Sequence, residues 1–144
     1  PEETLEDVKA IAEISKKVAD VGYGFRSIHL SINPLIPKPH TPFQREKTPP
    51  VSYVRNCLKL IRKELKGDGR FIISTLDPRH VQIQALLSLG GREVGRVIEF
   101  VARHGVGLGT WRRALKEYGI SLERYTGKKG LEESMPWSKI RIRP

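Results

Sequence analysis

The residues whose types could do chemistry are concentrated in a proline-rich segment, residues 31–44, which reads SINPLIPKPHTPFQ. In parallel α/β folds, ligands bind at the carboxyl ends of strands, and this segment begins at the end of a predicted strand and continues into the loop after it. Its prolines preset the backbone, so its polar side chains lose less entropy when they bind a ligand. The sequence therefore predicts a binding loop whose candidate polar side chains are Lys38, His40, Thr41 and Gln44.

The strand before this loop has an unusual polar side. Apolar and polar residues alternate from Ser27 to Asn33, which predicts one apolar face and one polar face. Such a polar face would suit a strand that lines a wet barrel interior. A plainer alternative stays open: loops are polar by default, so the loop side chains would face solvent, and His29 would be a core histidine with satisfied hydrogen bonds.

A second pattern is the basic C-terminal third of the chain, in which aromatic residues such as Trp111 and Tyr118 are interspersed. Positive side chains can follow phosphates while rings stack on bases, so the alternative function is a basic nucleic-acid-binding module. Trp111 and Tyr118 share one helical face, however, and core packing explains them at least as well. The basic residues considered in this third are Arg103, Arg112, Arg113, Lys116, Lys128, Lys129, Lys139, Arg141 and Arg143.

A third candidate is the start of a helix expected at Arg92, after the Gly90-Gly91 turn. Unpaired backbone N–H groups beside Arg92 and Arg96 are typical of a phosphate or carboxylate site. An ordinary solvated helix face is the preferred interpretation.

Other classes of function have no direct support. The chain contains no zinc-ligand spacing and no HExxH, Walker, GxGxxG or GxSxG motif. A single cysteine, Cys57, makes neither an internal disulfide nor a thiolate metal cage, which predicts a reducing cytoplasm and no metal held by this chain. No apolar run is long enough for a membrane span. The net charge of +10 permits contact with phosphates, and the scarcity of Asn, Gln, Met and Cys favours a thermophilic source.

The elements that must position these residues follow from periodicity and capping. Thr4 is a plausible N-cap, with Asp7 three residues later, for an amphipathic helix that ends near Gly22. Residues 34–50 are predicted to form a stiff, mostly extended, proline-rich loop. A helix then leads to a short apolar run at 71–73 that is suited to a buried strand. The remaining predicted helices occupy residues 80–89, 92–104 and 110–118.

The strand–helix–strand order predicts a parallel pair. Two strands are too few for a stable sheet, and no strand precedes the first helix. We therefore expect this chain to be a piece of a larger α/β protein, with an open strand edge at which a second copy can pair.

Several segments together resemble one family: PEETLEDV at 1–8, SINPLIPKPHTPFQ at 31–44, DPR at 77–79, QALLSLGGREVGRVI at 84–98 and LEESMPW at 131–137. They look like the C-terminal half of uncharacterised radical S-adenosylmethionine iron–sulfur proteins, a branch that often carries an N-terminal cobalamin-binding-like domain. The resemblance covers nearly the whole chain. One departure is Glu2, which stands where the family usually has glycine.

The resemblance implies an α/β fold: residues 1–76 are the C-terminal fragment of a partial (β/α) barrel, and residues 77–144 are a mostly helical cap with a basic tail. It implies that the whole enzyme binds a 4Fe–4S cluster through a CxxxCxxC loop and cleaves S-adenosylmethionine to a 5′-deoxyadenosyl radical, with cobalamin as a further candidate cofactor. Because one cysteine cannot ligate that cluster, this chain alone is expected to be inactive. Its partner is then the missing N-terminal portion of the same protein.

By position, the resemblance assigns the end of the predicted strand to the S-adenosylmethionine vicinity. These residues are Ser31, Ile32, Asn33 and Pro34. The loop residues Lys38, His40, Thr41 and Gln44 are assigned to an unknown substrate, with RNA among the candidates.

Overall fold

The computed structural model describes residues 3–22 and 27–140, which fall into two compact units. The strand unit comprises Pro1–Pro34 and Pro50–Pro78, and the helical unit comprises Leu35–Pro49 and Arg79–Pro144. The proline-rich loop 35–49 thus belongs with the later helices, although sequence order places it between the two strands.

The strand unit contains two helices and two strands. These are α1 (Leu5–Val21), β1 (Ile28–Ile32), α2 (Val51–Glu64) and β2 (Phe71–Thr75). The predicted cap of α1 is confirmed: Asp7 N–H donates to the Thr4 hydroxyl, and the Asp7 carboxylate accepts from Thr4 N–H. The predicted strand and helix after it are also confirmed, because their apolar spacing and flanking prolines and glycines are local signals.

The two strands are parallel, as predicted, with Ile28 opposite Phe71 and Ile32 opposite Thr75. One sheet face packs against both α1 and α2, because Leu30 and Ile73 join the core around Val8 and Ile61. This core contains Val8, Ala12, Ile61 and Leu65, with Ile11, Leu30, Ile32, Cys57, Leu60, Phe71 and Ile73 packed against them.

The opposite sheet face is open to solvent. It exposes His29 and Ser31 on β1, and Ile72 and Ser74 on β2. The prediction that residues 71–73 are buried together is therefore wrong for Ile72, which is 47% exposed. The physical reason is that side chains alternate across a strand, and helices cover only one side of this one.

The helical unit contains α3 (Pro78–Leu89, whose first residue lies in the strand unit), α4 (Val94–His104), α5 (Leu108–Glu117) and α6 (Glu123–Thr126). The first three confirm the predicted helices. The short α6 was not predicted, since one turn has no periodicity to detect. The core of the helical unit is built by the apolar faces of α3, α4 and α5 with Tyr125 of α6. It contains Ile83, Leu86, Val94, Val97, Val101, Trp111, Ala114, Leu115 and Tyr125.

The architecture confirms a mixed α/β chain that is mostly helical and carries a two-stranded sheet. Within residues 3–22 and 27–140 the strands do not close into a barrel. Over the same residues, every helix is too short or too polar to cross a membrane.

Candidate functional site

The carboxyl ends of β1 and β2 hold the first group of predicted site residues. Asn33 Nδ2 donates to Ser31 Oγ over 3.2 Å, and the backbone N–H of Leu76 donates to Asn33 Oδ1 over 3.3 Å. One amide side chain therefore ties the end of β1 to the residue that follows β2. Ser31 is the register partner of Ser74, and both serines are exposed.

Each strand presents a serine hydroxyl group near this end. The Ser74 hydroxyl donates to the Leu30 carbonyl over 3.4 Å and can still accept a hydrogen bond, while the Ser31 hydroxyl accepts from Asn33 and can still donate its hydrogen. Ile32 packs with the core beneath the sheet, so its side chain lies on the side away from the two serines. The polar strand face predicted from alternation is thus present, with Asn33 in a positioning role.

The second group lies in the proline-rich loop of the helical unit. Most of its polar atoms form hydrogen bonds within that unit. Lys38 Nζ donates to Ser88 Oγ over 2.6 Å, and Thr41 Oγ1 donates to the Lys38 carbonyl over 2.8 Å. Gln44 Oε1 accepts from the backbone N–H of His40 over 3.1 Å and from Trp137 Nε1 over 2.7 Å. These contacts give the mostly extended loop a turn within residues 39–46.

His40 differs from its neighbours. Its φ of 58° lies in the left-handed region, which costs a non-glycine residue energy and is found at sites that the surrounding structure holds firmly. Its backbone N–H is held by Gln44, while its imidazole makes no hydrogen bond to any of the residues that the structure describes. Of the four loop residues predicted to contact substrate, His40 is the one whose side chain is exposed and uncommitted.

The rest of the loop is fastened to the C-terminal segment. The backbone N–H of Thr48 donates to the Thr126 carbonyl over 2.8 Å, and that of Lys129 donates to the Arg45 carbonyl over 2.9 Å. The Arg45 guanidinium donates to the carbonyls of Gly130 and Glu133. Hydrogen bonds to the helical unit therefore hold the loop near both of its ends.

The eight predicted site residues consequently divide into two local groups. The four assigned to the S-adenosylmethionine vicinity lie in the strand unit, and the four assigned to substrate lie in loop 35–49 of the helical unit. Their assignments to those ligands stay predictions.

A cleft of about 210 Å³ in the helical unit was missed by sequence reasoning. Among its lining residues are Glu93, Tyr125 and Lys129. Tyr125 donates its hydroxyl hydrogen to Glu93 Oε1 over 2.8 Å, and Gly91 N–H donates to the same oxygen over 3.1 Å. The Glu93 carboxylate thus binds Gly91 just before α4 and makes no capping hydrogen bond to the helix itself. The anion site considered at Arg92 stays a prediction.

Lys129 is buried, contrary to its place among the basic residues of the tail. Its ammonium donates to the carbonyls of Tyr125 and Gly127 over 2.8 and 3.1 Å. Burial lowers the pKa of this ammonium. Trp111, Tyr125 and Trp137 are buried as well, so core packing accounts for these rings, whereas Arg141 and Arg143 lie outside the described residues.

The Glu93–Tyr125 pair makes a pH-dependent contribution to stability. The hydrogen bond from Tyr125 lowers the pKa of Glu93, and burial together with Glu93 raises the pKa of Tyr125 to about 12. A lowered carboxyl pKa stabilises the fold above the unfolded value and loses that contribution as the pH falls through the folded value. A raised phenol pKa stabilises the fold below about 10 and loses that contribution as the pH rises towards 12.

We therefore expect the difference in unfolding free energy between the wild type and Tyr125→Phe to be largest and flat near neutral pH. It should shrink in acid, where Glu93 is protonated, and again in strong alkali. Urea unfolding at a series of pH values measures this difference. A difference that does not change with pH would show that the pair contributes nothing beyond packing.

The residues present do not fit an iron–sulfur cluster. Cys57 is half-buried on α2, and in residues 3–22 and 27–140 no three His, Cys, Asp or Glu side chains are grouped so that they could hold a metal ion. A cluster needs several thiolates, and these residues do not supply them.

Comparison with known proteins gives one informative similarity. The chain is 29% identical over 140 residues to the uncharacterized protein MJ0966 of Methanocaldococcus jannaschii. The match covers 97% of this chain and 29% of that protein, so the chain spans less than a third of the relative's length. No family model matches the chain. No solved structure matches it either.

Proposed function

We propose that this chain is the C-terminal, substrate-facing part of a radical S-adenosylmethionine oxidoreductase that carries a 4Fe–4S cluster elsewhere in its polypeptide. The resemblance of the SINPLIPKPHTPFQ and LEESMPW segments to that family supports the proposal. The length of the archaeal relative agrees with a larger parent protein.

The observation that carries the proposal is the open polar face of the strand unit. Both α1 and α2 cover one side of the parallel pair, and the other side exposes His29, Ser31 and Ser74. A piece of a (β/α) barrel has this arrangement, because barrel helices lie outside and the remaining sheet face points inward. In an isolated two-layer α/β domain, the same face would only contact solvent.

In this proposal the strand ends bind and orient small molecules. The Ser31 and Ser74 hydroxyls hydrogen-bond S-adenosylmethionine or the substrate, and Asn33 holds the two strand ends at a constant spacing. The reductive cleavage itself is chemistry that the cofactors supply when bound. In this proposal Cys57 has no part in it, because its side chain is half-buried and packs against the core of the strand unit.

The test uses the native gene product, reconstituted anaerobically with iron and sulfide and supplied with a reductant. We expect 5′-deoxyadenosine from S-adenosylmethionine, and we expect its loss when an upstream cysteine of the cluster motif is changed to alanine. Cys57→Ala is the matched control, and it should retain product formation. A gene product that lacks an upstream cysteine triad and forms no 5′-deoxyadenosine would overturn the proposal.

A further inference from the structure

The positive charge of this protein is concentrated in one of its two units. The helical unit contains 16 Lys and Arg against 7 Asp and Glu, whereas the strand unit contains 10 against 9. Nearly all of the net charge of +10 therefore belongs to the helical unit. A compact unit of such charge attracts polyanions over distances beyond direct contact.

Within that unit, the outer sides of α4 and α5 are basic. The two helices pack against each other through their apolar sides, and they expose Arg96 and Arg103 on α4. On α5 the exposed basic residues are Arg112, Arg113 and Lys116. Arg112 and Lys116 are four residues apart, so they lie side by side on one helical face.

Most of these cations have no acidic partner. Arg103 pairs with Glu99 over 2.6 Å, but Arg96, Arg112 and Lys116 form no ion pair with any Asp or Glu in the part of the chain that the structure describes. Unpaired cations on an ordered helix can bind phosphates without first breaking an existing ion pair.

Aromatic rings lie on the same helix pair. The His104 ring stacks on Phe100, with 4.2 Å between centroids and 20° between planes, and Tyr118 meets Phe100 edge-on at 6.3 Å. The Arg113 guanidinium lies 6.0 Å from the centre of the Phe100 ring. His104 is exposed, and its Nδ1 lies 2.8 Å from the Phe100 carbonyl, to which it must donate because a carbonyl only accepts. The imidazole is thus held with one face on Phe100 and its outward face open.

We propose that this surface, formed by Arg96, His104, Arg112, Arg113, Lys116 and Tyr118, binds single-stranded nucleic acid. The cations follow the phosphates, and an unpaired base stacks on the outward face of His104, which is the combination that single-strand recognition uses. A membrane partner fits less well, because most apolar side chains of α4 and α5 are buried in the core, which leaves Ile98 as the exposed large apolar side chain of α4. The inference goes beyond the proposed enzyme and does not depend on it.

The probe is a fluorescently labelled oligouridine of about 12 nucleotides, whose binding to the 144-residue chain is followed by anisotropy at several salt concentrations. For Arg112→Ala/Lys116→Ala we expect weaker binding and a salt slope reduced by about two. The matched control removes the same two charges at the same spacing from exposed positions of α2 in the other unit. That control, Arg55→Ala/Lys59→Ala, should leave affinity unchanged.

Separate variants test whether a base stacks on His104. His104→Ala should weaken binding about tenfold without changing the salt slope, because it removes a stacking platform and no phosphate contact. His104→Phe keeps a ring and should retain affinity, so a folding defect cannot account for both results. Deoxyuridine oligomers of the same length show whether the sugar matters, and binding of either single strand supports the proposal.

Three results would overturn it. The first is an equal loss of affinity in the α2 control, which would mean diffuse attraction to the whole molecule. The second is binding of duplex as tight as single strand together with an unaffected His104→Ala variant. The third is binding to phosphatidylserine vesicles through Arg112 and Lys116 without binding to oligonucleotides.

Discussion

Trp137→Ala should lower the unfolding free energy of the helical unit by about 3–5 kcal/mol. The indole is 6% exposed and packs with Leu89 and Met135, so truncation leaves a large cavity. It also removes the hydrogen bond from Trp137 Nε1 to Gln44 Oε1, which joins the C-terminal segment to the proline-rich loop.

Urea unfolding followed by tryptophan fluorescence measures this loss. Both tryptophans lie in the helical unit, so in the variant the signal comes from Trp111 in the core of the same unit. Trp137→Phe is the control: it keeps most of the packing, and Gln44 Oε1 still accepts from His40 N–H, so the loss should be much smaller. A loss below about 1 kcal/mol in Trp137→Ala would contradict a core role for this segment.

Ile61→Ala should destabilise the strand unit by about 2–5 kcal/mol. Ile61 is 1% exposed and lies where α1, α2 and the sheet meet, among Val8, Ala12 and Leu65. Removing three of its carbons leaves a cavity that those three elements cannot close without moving. Hydrogen exchange of the β1 and β2 amides reads the effect in this unit, which has no tryptophan.

Ile72→Ala is the matched control for Ile61→Ala, because Ile72 is an isoleucine of the same unit on the open face of the sheet. In this chain its cost should stay within about 1 kcal/mol, the range of strand propensity. In the larger barrel protein that we propose, this face would be buried, so the same change should cost clearly more there. Equal, small losses in both proteins would count against a barrel interior at this face.

Local chemistry was enough to predict most of the elements. Three signals each lie within a single element: the capping pair of Thr4 and Asp7, the apolar spacing of α2 and the alternation of β1. Each of these elements forms at the residues that carry its signal. The parallel pairing followed from connectivity alone, since a helix must carry the chain back to start the second strand.

The candidate site was only partly predictable. Asn33 and Ser31 were identified from their position at a strand end, and the structure places them there. Gln44, chosen as a substrate-contacting residue on the same kind of argument, instead accepts from an indole 93 positions later in the chain. Loop polarity cannot distinguish these outcomes, because a polar atom bound by the protein and one free for a ligand have the same sequence signature.

The sequence by itself determined the order of the elements, the parallel pair, the absence of a thiolate cage and the charge excess of the later helices. Only the tertiary structure decided that loop 35–49 joins the helical unit, that Lys129 is buried, and that Glu93 binds a tyrosine 32 positions away. The physical reason is the range of the interactions. Propensity, capping and alternation act within a few residues, whereas burial and long-range hydrogen bonds depend on which surfaces the folded chain brings together.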